Sequence, residues 1–487
     1  MSASQPALSL IKSLAYMDGR WCEARGGRRF EVLNPATGQL ITQVPDMDET
    51  DTRLAIAAAH NAQPAWAALT AKERGSRLHA WFELIMANQD ELARIMTCEQ
   101  GKPLAEAKGE VAYGASFIQW FAEEGKRAYG RTIPGFSGDR RLATIKQPVG
   151  VVAAITPWNF PIAMITRKAG PALAAGCTIV IKPAAETPLC ALALAALAEQ
   201  AGIPAGVINI VTSHQAAAVG NELCSNKTVR KLSFTGSTRI GKLLMRQCAD
   251  TMKRLSLELG GNAPFIVFDD ADLDAAVAGA LASKYRNAGQ TCVCANRILV
   301  QASVHDAFAE KLAAAVRSFK VGDGMGEGTQ IGPLINAAAA DKVASLVNQA
   351  EAAGARVLVG GQAHPAGPLF YHPTILTGVA PDNPILQEEI FGPVAPLVRF
   401  ETEAEAIAIA NDTPYGLAAY FYGRDIARVW RVAEQLEYGM VGINEGIIST
   451  ELAPFGGIKE SGLGREGASE GLEEYLETKY LCFGSIA

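Results

Sequence analysis

From Val149 onward, short apolar runs alternate with alanine-rich stretches, and Gly and Pro punctuate the joins. Val149 to Ile155 is apolar throughout apart from one glycine, which predicts a strand buried on both faces. Thr156-Pro157-Trp158-Asn159-Phe160-Pro161 ends it, and a helix is expected to run to about Ala175. A strand at Cys177 to Ile181, a helix from about Thr187 to Ala201, and strands at Val207 to Val211 and Leu232 to Thr235 follow. A fifth strand, Leu255 to Leu259, sets its leucines at alternate positions. This βα alternation predicts a mostly parallel sheet with helices on both faces. Gly260-Gly261 breaks the pattern, and a second α/β series begins at Phe265-Ile266-Val267-Phe268, so the glycine pair reads as a domain boundary.

The first 150 residues read differently. Helical segments dominate (Asp51 to Trp66, Ala71 to Gln100), preceded by a strand-like start near Phe30 to Leu33. Residues Arg131 to Lys146 lack helical periodicity and read as an arm leaving the compact body. There is no solenoid repeat and no low-complexity tract beyond the alanine-rich helices.

Composition narrows the class. At 487 residues, 49% hydrophobic and 19% charged, the chain has the profile of a globular enzyme large enough to do without disulfide or metal staples. Its net charge of −6, with no Lys/Arg block, lacks the footprint of a nucleic-acid binder. The longest apolar run, Leu189 to Ala198, is about half of the ~20 residues a membrane span needs. Met1 to Pro6 carries no basic segment followed by an apolar one, so no secretory leader is expected. Nine scattered cysteines argue against a disulfide framework and for a reducing cytoplasm.

Two motifs mislead. Gly462-Leu463-Gly464-Arg465-Glu466-Gly467 matches the dinucleotide fingerprint but has no strand before it and too little chain after it, so a glycine-rich loop is expected. Gly236 to Lys242 resembles a phosphate-binding loop, but Leu243 stands where a metal-holding hydroxyl is needed. What survives is a strand, a glycine turn and a helix N-terminus with Ser237 as cap, suited either to a pyrophosphate or to an ordinary turn. The six histidines show no metal-ligand spacing and the cysteines form no C-x-x-C pair, so no metal is expected.

Three residues carry candidate chemistry. Cys292, in Gly289-Gln290-Thr291-Cys292-Val293-Cys294, sits in a glycine-opened turn where a thiolate can meet a carbonyl carbon, though lone cysteines are more often small buried residues. Glu258 points to the face opposite the leucines of its strand, where it is a general base or a solvated glutamate. Asn159, at the carboxyl end of the first strand, is an oxyanion donor or a turn former.

Five motifs then occur in order: Thr156-Pro157-Trp158-Asn159-Phe160-Pro161, Phe234-Thr235-Gly236-Ser237, Leu257-Glu258-Leu259-Gly260-Gly261, Gly289-Gln290-Thr291-Cys292 and Glu389-Ile390-Phe391-Gly392-Pro393. Together they resemble the aldehyde dehydrogenase superfamily over nearly the whole chain. Met164 to Lys168, Lys284 to Asn287 and Cys292 to Asn296 are most similar to its succinate-semialdehyde dehydrogenases. The resemblance implies an α/β fold of two doubly wound parallel-sheet domains and a small β oligomerisation arm. The dinucleotide-binding domain would take residues 1–128 and 148–260, the catalytic domain 261–462, and the arm 129–147 and 463–487.

It also implies Cys292 as nucleophile, Asn159 as oxyanion donor and Glu258 as the base that activates water. Trp158, Asn159, Lys182, Gly236, Ser237, Leu259, Glu389 and Phe391 would hold the cofactor. Relatives that grip the 2′-hydroxyl of NAD usually carry Glu three residues after the lysine; here that position is Ala185, with Glu186 next. Alanine leaves room for a 2′-phosphate and Lys182 supplies charge, so NADP is expected to be preferred over NAD. Arg167, Arg286 and Ser449 would hold the carboxylate of a short semialdehyde, succinic or glutaric, since guanidinium groups bind carboxylates as a two-point fork. Cys294 is a candidate redox partner of Cys292 or loop packing. A homodimer or homotetramer is implied. Other readings are a dehydrogenase of another aldehyde, a catalytically silent protein on this fold, and a cofactor-free cysteine hydrolase, which would want a histidine base.

Overall fold

A computed structural model describes residues 8–485. Met1 to Pro6, where no leader is expected, and the last two residues of the expected arm lie outside the described residues. Five parallel strands, in spatial order Ile208–Ile210, Thr178–Lys182, Val151–Ile155, Val229–Thr235 and Arg254–Glu258, form the middle of an eight-stranded sheet. The central pair is apolar and almost wholly buried because helices cover both faces. Helix Ala163–Ala175 ends at Gly176 in the left-handed conformation, and helix Pro188–Gln200 opens on a proline. The first two amides of that second helix donate to the buried carboxylate of Glu99.

The edges of this sheet depart from the sequence expectation. Ala15–Met17 and Arg20–Cys22 add antiparallel strands on one side, in a region expected to be mainly helical. Gly462–Leu463, expected to be loop, pairs antiparallel with Leu257 and Glu258 on the other. Main-chain pairing with a distant strand, and no local pattern, makes each of these a strand.

A seven-stranded sheet begins immediately after Gly260-Gly261. Its six parallel strands run Thr374–Thr377, Val394–Phe400, Ala295–Gln301, Ala263–Val267, Ala418–Tyr422 and Met440–Ile443, with Arg356–Val359 antiparallel at one edge. Arg131–Ile133, Arg141–Pro148 and Leu476–Phe483 form a separate three-stranded sheet that leaves Tyr129, Ile133, Phe136, Tyr480 and Phe483 exposed. No helix among the described residues is long and apolar enough to cross a membrane.

In the first sheet the strand order reverses between Val151–Ile155 and Val229–Thr235. Ligands of doubly wound sheets bind outside the carboxyl ends of the strands at such a reversal. The Asn159 loop, the Gly236 turn and Glu258 all leave the sheet there.

Candidate active site

Cys292 is carried by a loop that the backbone does not favour. Asn287 (φ 51°), Ala288 (φ 54°) and Gly289 (φ 76°) are consecutive left-handed residues, a conformation that costs a non-glycine residue about 1–2 kcal/mol. A side chain at Gly289 would lie 2.1 Å from the carbonyl oxygen of Gly392, so only glycine fits. Side chains hold the turn. Asn287 Oδ1 accepts from Gln100 Nε2 at 3.0 Å, and Glu106 accepts from the Asn287 amide at 2.8 Å. Gln290 Nε2 donates to the Asn287 carbonyl at 3.1 Å, and its Oε1 accepts from Ile335 N at 3.0 Å. A Cβ on Gly261 would lie 2.5 Å from the carbonyl oxygen of Cys292, so the Gly260-Gly261 joint lets the Cys292 loop pack close against it.

The half-buried Cys292 thiol is pushed up to about 12, chiefly by burial and then by Glu389. Glu258 adds to this, while Arg167 and Arg286 oppose it. Cys294 is turned elsewhere: its Sγ donates to the Lys284 carbonyl at 3.2 Å. Both cysteines are free thiols.

Asn159 is 4% exposed, and its Nδ2 donates to the Gln290 carbonyl at 3.0 Å. That bond engages one N–H and leaves the other for a ligand. Glu258 is buried beside Gly456, and neither of its carboxylate oxygens finds a donor among the described residues. Burial, and then the neighbouring Glu466 carboxylate, raise its proton affinity well above the ordinary glutamate range, with Arg167 and Lys168 opposing. A carboxyl so placed takes a proton near neutral pH more readily than a solvated one.

Glu466 is the residue that sequence reading missed. It lies in the glycine motif set aside as a loop, yet its buried carboxylate bridges Arg167 Nε at 2.8 Å and the Lys168 ammonium. Lys168 also donates to Thr235 Oγ1 at 2.7 Å. Arg167 lies over the Phe455 ring, 3.9 Å from its centroid, and its Nη2 has no partner among the described residues.

Two cavities meet at Cys292. One, of about 290 Å³, is lined by Trp158, Asn159, Gly236, Ser237, Leu259, Cys292, Glu389 and Phe391, eight residues expected at the reaction centre or the cofactor. Helix Thr238–Cys248 starts here, and Ser237 makes no side-chain cap, which leaves its first amides for an anion. Among the described residues Glu389 accepts only the Gly261 amide, and burial pushes it up to about 7. A side chain at Gly260 would lie 3.0 Å from that carboxylate. A largely apolar cleft that brings free helix amides and a lightly bonded carboxylate together fits a nicotinamide dinucleotide. Lys182 and Ala185 do not line it; the Lys182 ammonium is buried and donates to the Pro183 carbonyl at 3.1 Å.

The second cavity, on the other side of Cys292, brings together Arg167, Arg286, Ser449, Tyr113, Phe160 and Phe455. Tyr113, Phe160, Arg286 and Ser449 also line an adjoining vestibule of about 270 Å³. Arg286 lies over Phe160 at 5.2 Å and forms no ion pair among the described residues, whereas Arg167 is held by Glu466. No histidine lines these cavities, and among the described residues no His/Cys/Asp/Glu group could hold a metal.

Known proteins share this arrangement. Residues 21–481 match the aldehyde dehydrogenase family. The chain is 64% identical to a succinate-semialdehyde dehydrogenase (NADP+) of Escherichia coli, with 98% of each chain covered. It is 63% identical to a glutarate-semialdehyde dehydrogenase of Pseudomonas aeruginosa, over 98% of this chain and 99% of that one. The crystal structure of an E. coli NADP-dependent enzyme superposes with a TM-score of 0.97 at 64% identity, covering 98% of each chain. Motif order, two doubly wound sheets and a half-buried cysteine between two cavities agree with these likenesses: the chain belongs to the aldehyde dehydrogenase family.

Proposed function

We propose that this enzyme oxidises short aldehydes bearing a carboxylate at the far end, succinic semialdehyde first and glutaric semialdehyde second. Cys292 Sγ attacks the aldehyde carbon, and its proton passes to Glu258. The oxyanion is received by the free N–H of Asn159 and the Cys292 amide. Trp158, Lys182, Gly236, Ser237, Leu259, Glu389 and Phe391 would hold NADP or NAD, which would accept the hydride and so allow a thioester to form on Cys292. Once Glu258 has released the thiol proton to solvent, it takes a proton from the water that hydrolyses the thioester and returns it to the departing Cys292 sulfur, which frees the acid and restores the thiol. NADP is the preferred cofactor, because Ala185 puts no carboxylate beside the 2′ position.

The observation that carries the substrate reading is Arg286: a guanidinium with no ion pair among the described residues, in a cavity that also holds Cys292, Arg167 and Ser449. A substrate carboxylate would complete it. Absorbance of reduced cofactor, followed for a panel of semialdehydes with NADP and NAD, tests this. Succinic semialdehyde with NADP should give the highest kcat/KM; butanal turned over equally well would overturn the ω-carboxylate reading. The exposed apolar side chains on the three-stranded sheet support a homo-oligomer assembled through that arm. Nine unbonded cysteines, five of them buried, suit the reducing cytoplasm.

A further inference from the structure

Lys102 takes no part in the steps above, yet its buried ammonium reaches the reaction centre. Its Nζ pairs with Glu110, lies 4.0 Å from the Phe160 ring centroid and donates to the Asn159 carbonyl at 2.8 Å. Both partners of the ion pair are 1% exposed at their side chains, so neither charge is shared with solvent. A buried ion pair is weak evidence for a stabilising role, because replacing it by apolar groups is often neutral. Its contacts suggest a more specific use. The Asn159 carbonyl has two lone pairs, and Lys102 Nζ and Asn287 Nδ2, the latter at 3.0 Å, occupy both. On the other side of the pair, Glu110 Oε1 accepts from the amides of Ile162 and Ala163 at 3.0 and 3.2 Å. Those amides open helix Ala163–Ala175, which has no side-chain cap of its own and carries Arg167.

We propose that Lys102 is the positioning residue of the oxyanion donor: anchored by Glu110, it clamps the Asn159 main chain and so fixes where the Asn159 amide points. One ion pair thereby holds both the donor that meets the aldehyde oxygen and the helix that carries a candidate carboxylate ligand. The proposal rests on Asn159 being the oxyanion donor. Small displacements of such a donor act on rate and not on binding.

The test is a double-mutant cycle. Lys102→Met with Glu110→Gln removes both charges of the pair together, so neither partner is left buried and unpaired, and the glutamine oxygen can still accept from the helix amides. With thermal melting and cofactor affinity unchanged, kcat should fall by about 100-fold while KM for the aldehyde stays constant. In an Asn159→Ala background the same two substitutions should cost nothing further. Losses that multiply in that background, or full kcat in the folded variant, would overturn the proposal. If the paired variant does not fold, Lys102→Gln is taken through the same cycle and read by the same criteria. Wild-type kcat in Asn159→Ala alone would instead remove the oxyanion reading on which the proposal stands.

Discussion

Cys292 meets its surroundings as a protonated thiol. Burial, Glu389 and Glu258 push it up to about 12, against 9.0 for an ordinary cysteine, so at neutral pH the resting thiol keeps its proton. In the free protein, alkylation of Cys292 by iodoacetamide should therefore keep rising with pH and show no plateau near 9.0, which mass spectrometry of the labelled peptide can follow. Cys292→Ala should abolish oxidation while leaving cofactor affinity intact. Glu258 carries the complementary prediction. Its proton affinity is raised, and it works as a base only once deprotonated, so kcat/KM should fall as pH drops below its raised pKa and recover above it. Glu258→Gln should lower kcat by about 10²–10⁴-fold and flatten that limb of the profile. A pH profile of unchanged shape in this variant would mean another group titrates.

The elements that carry the two arginines assign them unequal tasks. Arg286 leads the strained turn after helix Leu273–Lys284 and has no ion pair among the described residues; Arg167 sits mid-helix with Glu466 against its Nε. The sequence alone treats them as equals. With Glu466 in view, Arg286→Ala should cost about 2–5 kcal/mol of kcat/KM for succinic semialdehyde and leave butanal nearly unaffected. Arg167→Ala should lower kcat on both substrates, because it also removes a counter-charge from the Glu258–Glu466 pair. Equal selectivity losses in the two variants would return them to equal roles. This asymmetry marks what the sequence can and cannot express. The central strands are readable because burial on both faces imposes a continuous apolar run, and Cys292, Glu258 and Asn159 because each sits in a motif of characteristic spacing. The edge strand Gly462–Leu463 is too short for any period to register. Glu466 and Lys168 are 298 residues apart, and nothing local distinguishes a buried bridging carboxylate from one in a solvated loop. Lys102, 57 residues from the carbonyl it clamps, is hidden for the same reason.

For the whole molecule, the three-stranded sheet has little core of its own. Leu476–Phe483 pairs with Arg141–Pro148 along its full length, yet its side chains from Glu477 onward are largely exposed. Tyr129, at 71% exposure, and Phe136, at 76%, stand near it. A second copy covering this surface would bury them, so Phe136→Glu with Tyr480→Glu should shift the protein to a smaller species by light scattering while the monomer fold persists. An unchanged mass would place the interface elsewhere.

Met164 and Cys292 line both the dinucleotide cleft and the aldehyde cavity, and the two chambers otherwise have separate walls. Two reactants can thus approach Cys292 from different walls. On this layout the dicarboxylate product shares the aldehyde's chamber and leaves the dinucleotide's untouched. Succinate should accordingly compete with the aldehyde and not with the oxidised cofactor, so rising product slows the intake of fresh substrate without displacing the dinucleotide.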